Sequence, residues 1–255
     1  MSLGDHLREL RYRVLFSLVW IVLGMIVVAV FYDPVYTFLA QPWLHARDIL
    51  SVTNPELSTQ MVLSGVTSPL TLALKICGVG GLVLASPVWL YQIWAYIVPA
   101  LLAKEKRWAL IFLSVALPLF LAGVTVGYLI LPQGISVLMS FTPQSVPITN
   151  LIEIDKFLEL MLQLMVVFGL GFLMPVVVVG ANLVGVLTAK QLAKARVYVI
   201  FGTFVFGAAA TPSTVPFSML ALAVPMSLLF IVAELICRLN DKRKARRAAA
   251  ELAAT

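Results

Sequence analysis

Six apolar runs, separated by polar segments that alternate between rich and poor in lysine and arginine, restrict this chain more than any other feature. They cover about Val14–Tyr32, Leu70–Val98, Trp108–Leu131, Leu160–Leu187, Val197–Ala210 and Val215–Cys237. A helix needs roughly 20 apolar residues to cross about 30 Å of hydrocarbon. Four runs meet this easily, and the sixth meets it although Pro216 and Pro225 interrupt it. The fifth would give only about 21 Å of helix at 1.5 Å per residue. It is therefore expected to thin the bilayer locally or to pack against longer neighbours, with a re-entrant hairpin of runs five and six as the alternative. A water-soluble fold is excluded by composition: 61% of the 255 residues are hydrophobic and 12% charged, too little polar material to cover an aqueous exterior. The first run is too long for a signal-peptide core, and Asp33-Pro34 follows it where a small-residue cleavage site would stand.

Orientation follows from the cations. Fifteen of them fall on one side: Arg8, Arg11 and Arg13; Lys104, Lys106 and Arg107; Lys190, Lys194 and Arg196; and Arg238, Lys242, Arg243, Lys244, Arg246 and Arg247. The other side has three, Arg47, Lys156 and Lys75, the last able to snorkel from the outer end of the second span. The expected fold is an all-α membrane protein of six transmembrane helices, N-in and C-in. The Pro-rich outer loops 33–69 and 132–157 are expected to form an extracytoplasmic cap, with an amphipathic stretch around Val35–Leu50. Tyr91, Trp94, Tyr96 and Trp108 flank one cytoplasmic border as an interfacial belt would. Residues 1–238 read as one membrane domain and 239–255 as a basic, disordered cytoplasmic tail. Cys77 and Cys237 fall near opposite faces, so no disulfide between them is expected.

Polar groups inside spans are costly and are candidates for function. Glu159 and Gln163 lie a turn apart at the outer start of the fourth span; Asn182 and Glu234 lie near inner ends. Each could equally serve interfacial solvation or a helix–helix hydrogen bond. The two histidines, His6 and His45, fall on opposite sides, and no nucleophile–base pair, metal cluster or phosphate loop is visible. No catalytic residue, metal, cofactor or nucleic-acid partner is expected. No acid occupies the middle of a span, which weighs against an ion-coupled carrier. Glu9 before the first span and Glu105 between the second and third are rare acids on a basic face. Ordinary surface pairing with neighbouring cations explains them; so does a pair of carboxylates offered to a cationic ligand.

Three stretches carry a resemblance to the TatC family, the multi-span receptor subunit of the twin-arginine protein translocase. They are His6-Leu7-Arg8-Glu9-Leu10-Arg11; Ser86-Pro87 with Tyr91-Gln92-Ile93-Trp94-Ala95-Tyr96-Ile97-Val98-Pro99-Ala100-Leu101 and Lys104-Glu105-Lys106-Arg107; and Phe201-Gly202 through Thr211-Pro212 to Ala223-Val224-Pro225-Met226. Ser68-Pro69, Phe168-Gly169 and Pro175 match too. The resemblance implies a multi-pass protein of the bacterial cytoplasmic membrane. It implies a receptor that binds Arg-Arg signal peptides of folded cargo, with export driven by the proton-motive force. It also implies oligomeric assembly with small single-span subunits of the TatA/TatB type. Glu9 and Glu105 match the family's recognition acids, Tyr96 holds a position often aromatic, and Arg13 and Arg107 border the same surface. Thr211, Ser213, Thr214 and Ser218, at the outer turn between spans five and six, are expected to dock a partner helix through their hydroxyls; building the turn with Pro212 and Pro216 is their plainer role. Leu173 stands where the family commonly has glutamate, no acid occurs between Thr211 and Met219, and an amide common at about Met219 is missing. Gln163, ten residues from Leu173, is not on an equivalent turn. A small-solute secondary transporter is the alternative, lacking the repeat symmetry such carriers show; a membrane-embedded enzyme lacks catalytic groups.

Overall fold

In the computed structural model, residues 3–53, 59–97, 105–140, 150–210 and 216–253 are described. The helices are α1 (Leu3–Val30), α2 (Tyr32–Thr53), α3 (Ser68–Leu84), α4 (Ser86–Ile97), α5 (Glu105–Ser140), α6 (Ile154–Val184), α7 (Ala189–Ala210) and α8 (Pro216–Ala253). Two short strands, β1 (Thr59–Val62) and β2 (Asn150–Glu153), pair in parallel. Five helices are long and apolar enough to cross a membrane, and the α3–α4 pair makes a sixth crossing if it acts as one broken span. All six apolar runs thus become helical. The β1–β2 ribbon is the exception to the all-α expectation. It ties together the two long loops predicted to form a cap, where α2 also packs: Phe38 stacks on Tyr128 at 4.8 Å, and Trp43 meets Phe157 edge-on.

The second run is not one straight helix. It breaks at Ala85, and the two halves meet at 57°. The cause is Pro87, which has no N–H to give the carbonyl four residues back and disfavours helix at the residue before it. Hydrogen bonds tie the two halves together at the bend. Ala85 O accepts from the N–H of Val88 and of Trp89 at 3.0 and 3.1 Å. The indole Nε1–H of Trp89 donates across the bend to Leu82 O at 2.9 Å.

The fifth element differs from its expectation. Its helix is 22 residues, not 14, because the cation-bearing segment from Lys190 to Arg196 is helical too. At 1.5 Å per residue it is about 33 Å long, but Lys190, Lys194 and Arg196 occupy the added turns, so its apolar part stays at about 21 Å and still has to pack against the longer α8 or thin the bilayer. Helix α8 continues to Ala253, so the tail expected to be disordered is helical over 239–253.

Close helix contacts rest on glycine, as expected where small residues let backbones approach in lipid. A Cβ on Gly24 of α1 would lie 2.8 Å from the carbonyl oxygen of Gly81 in α3, and one on Gly123 of α5 would lie 2.4 Å from that of Phe168 in α6. Between these contacts, one core gathers Ile76, Leu158, Met161 and Phe168; a second holds Trp89, Leu90, Trp94, Phe112 and Phe120; and a third forms around Phe230 and Cys237. Cys77 and Cys237 are free and buried in different cores.

Candidate functional site

Glu9 and Arg13 are one turn apart on α1, a spacing that puts both on one face. Arg13 donates to Glu9 Oε1 from Nη2 at 2.7 Å and from Nε at 3.0 Å, and its Nη1 donates to Gln92 Oε1 of α4 at 3.1 Å. The ion pair is half-buried. Arg13 and Gln92 form the polar rim of a trough of about 460 Å³ between α1 and α4. Its floor is apolar, with Val14, Leu18 and Ile21 facing Trp89 and Ile93, and Tyr96 closes one side. The bend at Ala85 is what lays α4 along α1 to make this trough. Glu9 does not line it but stands at its mouth through Arg13.

Glu105 opens α5, where the positive end of the helix dipole favours a carboxylate; its side chain and that of Arg107 lie outside the described residues. Its level in the bundle can still be fixed. Helix α4 packs against both α1 and α5, and Trp94 stacks on Phe112 with centroids 4.7 Å apart. At 1.5 Å per residue, Glu105 lies about 10 Å beyond Phe112, and Glu9 about 6 Å beyond Arg13, which is level with Gln92. Both offsets run toward the same end of the bundle, so the two acids flank α4 there.

The outer candidates fall differently. Glu159 accepts an ion pair from Lys75 Nζ at 2.7 Å, joining α6 to α3. This pair and the exposed Gln163 line a cavity of about 850 Å³ whose other walls, Ile21, Met25, Val79 and Val166 among them, are apolar. Lys75, read as snorkelling outward alone, is thus half of a pair the sequence did not reveal. Leu173 is buried in the core of Trp89 and Phe120. Thr211, Ser213 and Thr214 lie outside the described residues, as does the side chain of Ser218 in the first turn of α8.

Glu234 and Asn182, singled out from the sequence, each anchor an inter-helix cluster where α6, α7 and α8 meet, with partners that sequence reasoning did not supply. Glu234, 2% exposed, is held by Arg196 from α7 in a bidentate pair, both bonds 2.8 Å, and by Arg238 at 2.7 Å. Asn182 Nδ2 donates to Leu187 O and Asp241 Oδ1, and Asn240 donates to Asn182 Oδ1. Asp241 Oδ2 accepts from the N–H of Ala189 at 2.8 Å, capping α7, and Lys244 donates to the last carbonyls of α6. Arg238 was findable as the i+4 partner of Glu234; Arg196, counted as a loop charge, was not. Among the described residues, no three His, Cys, Asp or Glu side chains could hold a metal ion.

Helical crossings joined by ion pairs and polar clusters define a polytopic membrane protein. The family described as "Sec-independent protein translocase protein (TatC)" matches residues 5–225. The "Sec-independent protein translocase protein TatC" of Frankia casuarinae is 36% identical over 250 residues, covering 97% of this chain and 68% of that one. Its counterpart in Aquifex aeolicus is 32% identical over 245 residues, 96% and 98%. The crystal structure "Twin Arginine Translocase Receptor- TatC in DDM" superposes with a TM-score of 0.77 at 32% identity, over 91% of this chain and 99% of that one. This chain belongs to the TatC family. It is a multi-pass protein of the bacterial inner membrane and a component of protein translocation.

Proposed function

We propose that this chain is the signal receptor and core scaffold of a twin-arginine translocase, with both termini cytoplasmic. In this reading Glu9 and Glu105 hold the two arginines of a folded cargo's signal peptide, and export is driven by the proton-motive force. The observation that carries it is the Glu9–Arg13–Gln92 arrangement at the mouth of an apolar trough. Both bonds from Arg13 fall on Oε1 of Glu9, and a carboxylate accepts about four, so an incoming guanidinium adds at Oε2. Gln92 anchors Arg13 meanwhile and limits its repulsion of the newcomer. The planar fork of arginine fits such a carboxylate and the compact ammonium of lysine does not. The apolar segment that follows then lies along Val14, Leu18 and Ile93, while Tyr96 and Arg107 border the site. Among the described residues, nothing in the cavities favours the small-solute carrier.

The test is a photo-crosslinker at Ile93 together with a signal variant. The crosslinker is expected to capture the apolar segment of an Arg-Arg precursor. Replacing both signal arginines with lysine should weaken binding about tenfold, since the ammonium keeps the charge but loses the planar bidentate pairing at each carboxylate. Equal binding of the lysine signal would refute the reading.

Partners follow from the same reading. Small single-span subunits of the TatA/TatB type dock at the turn before α8, where Thr211, Ser213, Thr214 and Ser218 offer hydroxyls to a polar group that lipid would leave unsatisfied. Glu159 and Gln163 present a second polar point in the membrane, and several copies assemble. Cysteines at Thr211 and along α7 are expected to crosslink to a partner's transmembrane helix; failure there alongside successful crosslinks elsewhere would reject this docking site.

A further inference from the structure

The cluster around Glu234 holds more positive charge than it needs. One buried carboxylate fixes two guanidiniums, Arg196 and Arg238, within 2.8 Å of its oxygens, yet both arginines remain about half exposed, at 42% and 51%. The next acid along α8, Asp241, is committed to Asn182 and to the N-terminus of α7. Held on one carboxylate, the two guanidiniums cannot move apart to relieve their repulsion, so the cluster is a preorganised site for an anion.

The surroundings say which anion. Leu228, Ile231, Leu235, Arg238 and Lys242 follow one another at intervals of three and four residues, a single face of α8, and all five are exposed. An apolar stripe therefore runs straight into two cations. Glu234 lies 18 residues past the start of α8 at Pro216, about 27 Å along a helix at 1.5 Å per residue, and hydrocarbon is about 30 Å thick. The cations thus stand at headgroup depth and the stripe at acyl-chain depth. We propose that Arg238, Arg196 and Lys242 bind the phosphate of an anionic phospholipid whose chains lie along Leu235, Ile231 and Leu228. This goes beyond signal recognition and does not depend on which way the chain is oriented.

The test uses the full chain in detergent, offered equal amounts of phosphatidylglycerol and phosphatidylcholine, with retained lipid read by native mass spectrometry. The parent should retain phosphatidylglycerol preferentially. Arg238→Gln and Lys242→Gln should each reduce that retention about fivefold, the equivalent of about 1 kcal/mol per cation at an anionic surface. Arg238→Lys should keep most of it. Arg196 is left in place, so Glu234 keeps its bidentate partner and the helices stay joined. Arg8→Gln with Arg11→Gln, an equal charge loss on α1, should leave retention unchanged. Equal retention of the two lipids, no effect of Arg238→Gln, or an equal effect of the α1 control would overturn the proposal. So would displacement of the lipid by millimolar inorganic phosphate, which would mark a plain phosphate site; unaffected Arg238→Gln retention would leave the stripe to a partner helix.

Discussion

Arg196→Met is expected to lower the unfolding temperature of the protein. Severing a buried ion pair is destabilising, because the remaining charge is left in a medium that cannot solvate it. Here the carboxylate of Glu234 is 2% exposed and would lose its bidentate partner. The effect is moderated for two reasons: Arg196 is itself half exposed, so water already screens part of the attraction, and Arg238 stays on Oε1. Adding Glu234→Leu should recover most of the loss. An apolar side chain at that buried position needs no partner, and Arg238 can turn out to the interface. Thermal unfolding in detergent micelles compares the three forms. If the double variant unfolds as early as Arg196→Met alone, an uncompensated Glu234 is not the cause.

That cluster also marks where the sequence stops being readable. Hydropathy marks the six crossings because a span must be apolar along its length, whatever it packs against. Its limits are local. The run Leu70–Val98 conceals the break at Ala85, though Pro87 is in plain view, because apolarity persists through a bend that only backbone bonding imposes. The helix of run five extends beyond its apolar part because Lys190, Lys194 and Arg196 lower hydropathy without breaking the helix. Strands β1 and β2 are four residues each and pair between two distant loops, so neither has a pattern of its own. At the site, Glu9 stands out as a rare acid on a basic face and its i+4 neighbour Arg13 follows from helix geometry. Gln92 does not, because its role depends on α4 lying against α1. Lys75 with Glu159, and Arg196 with Glu234, are invisible for the same reason: each pair joins two helices, and a sequence fixes spacing within a helix, not register between them.

The second large effect concerns the two acids themselves. Glu9 and Glu105 lie at the same end of the bundle on either side of α4, and in the proposed reading each takes one of the signal's two arginines. If each contributes a charge-assisted pair of roughly 1.5–3 kcal/mol, losing one weakens binding about tenfold to a hundredfold. Losing both leaves only the apolar contacts of the trough, which do not distinguish arginine from any other residue. Glu9→Ala also frees Arg13, whose charge then faces the signal without its carboxylate; the exchange should therefore be harsher than neutralisation of an isolated acid. The direct measurement is binding and export of an Arg-Arg precursor by the Glu9→Ala/Glu105→Ala double variant, after its level and membrane insertion are confirmed equal to the parent. The account predicts that binding falls to the level of a signal with both arginines replaced and that export stops; a double variant that binds and exports the precursor as well as the parent would contradict it.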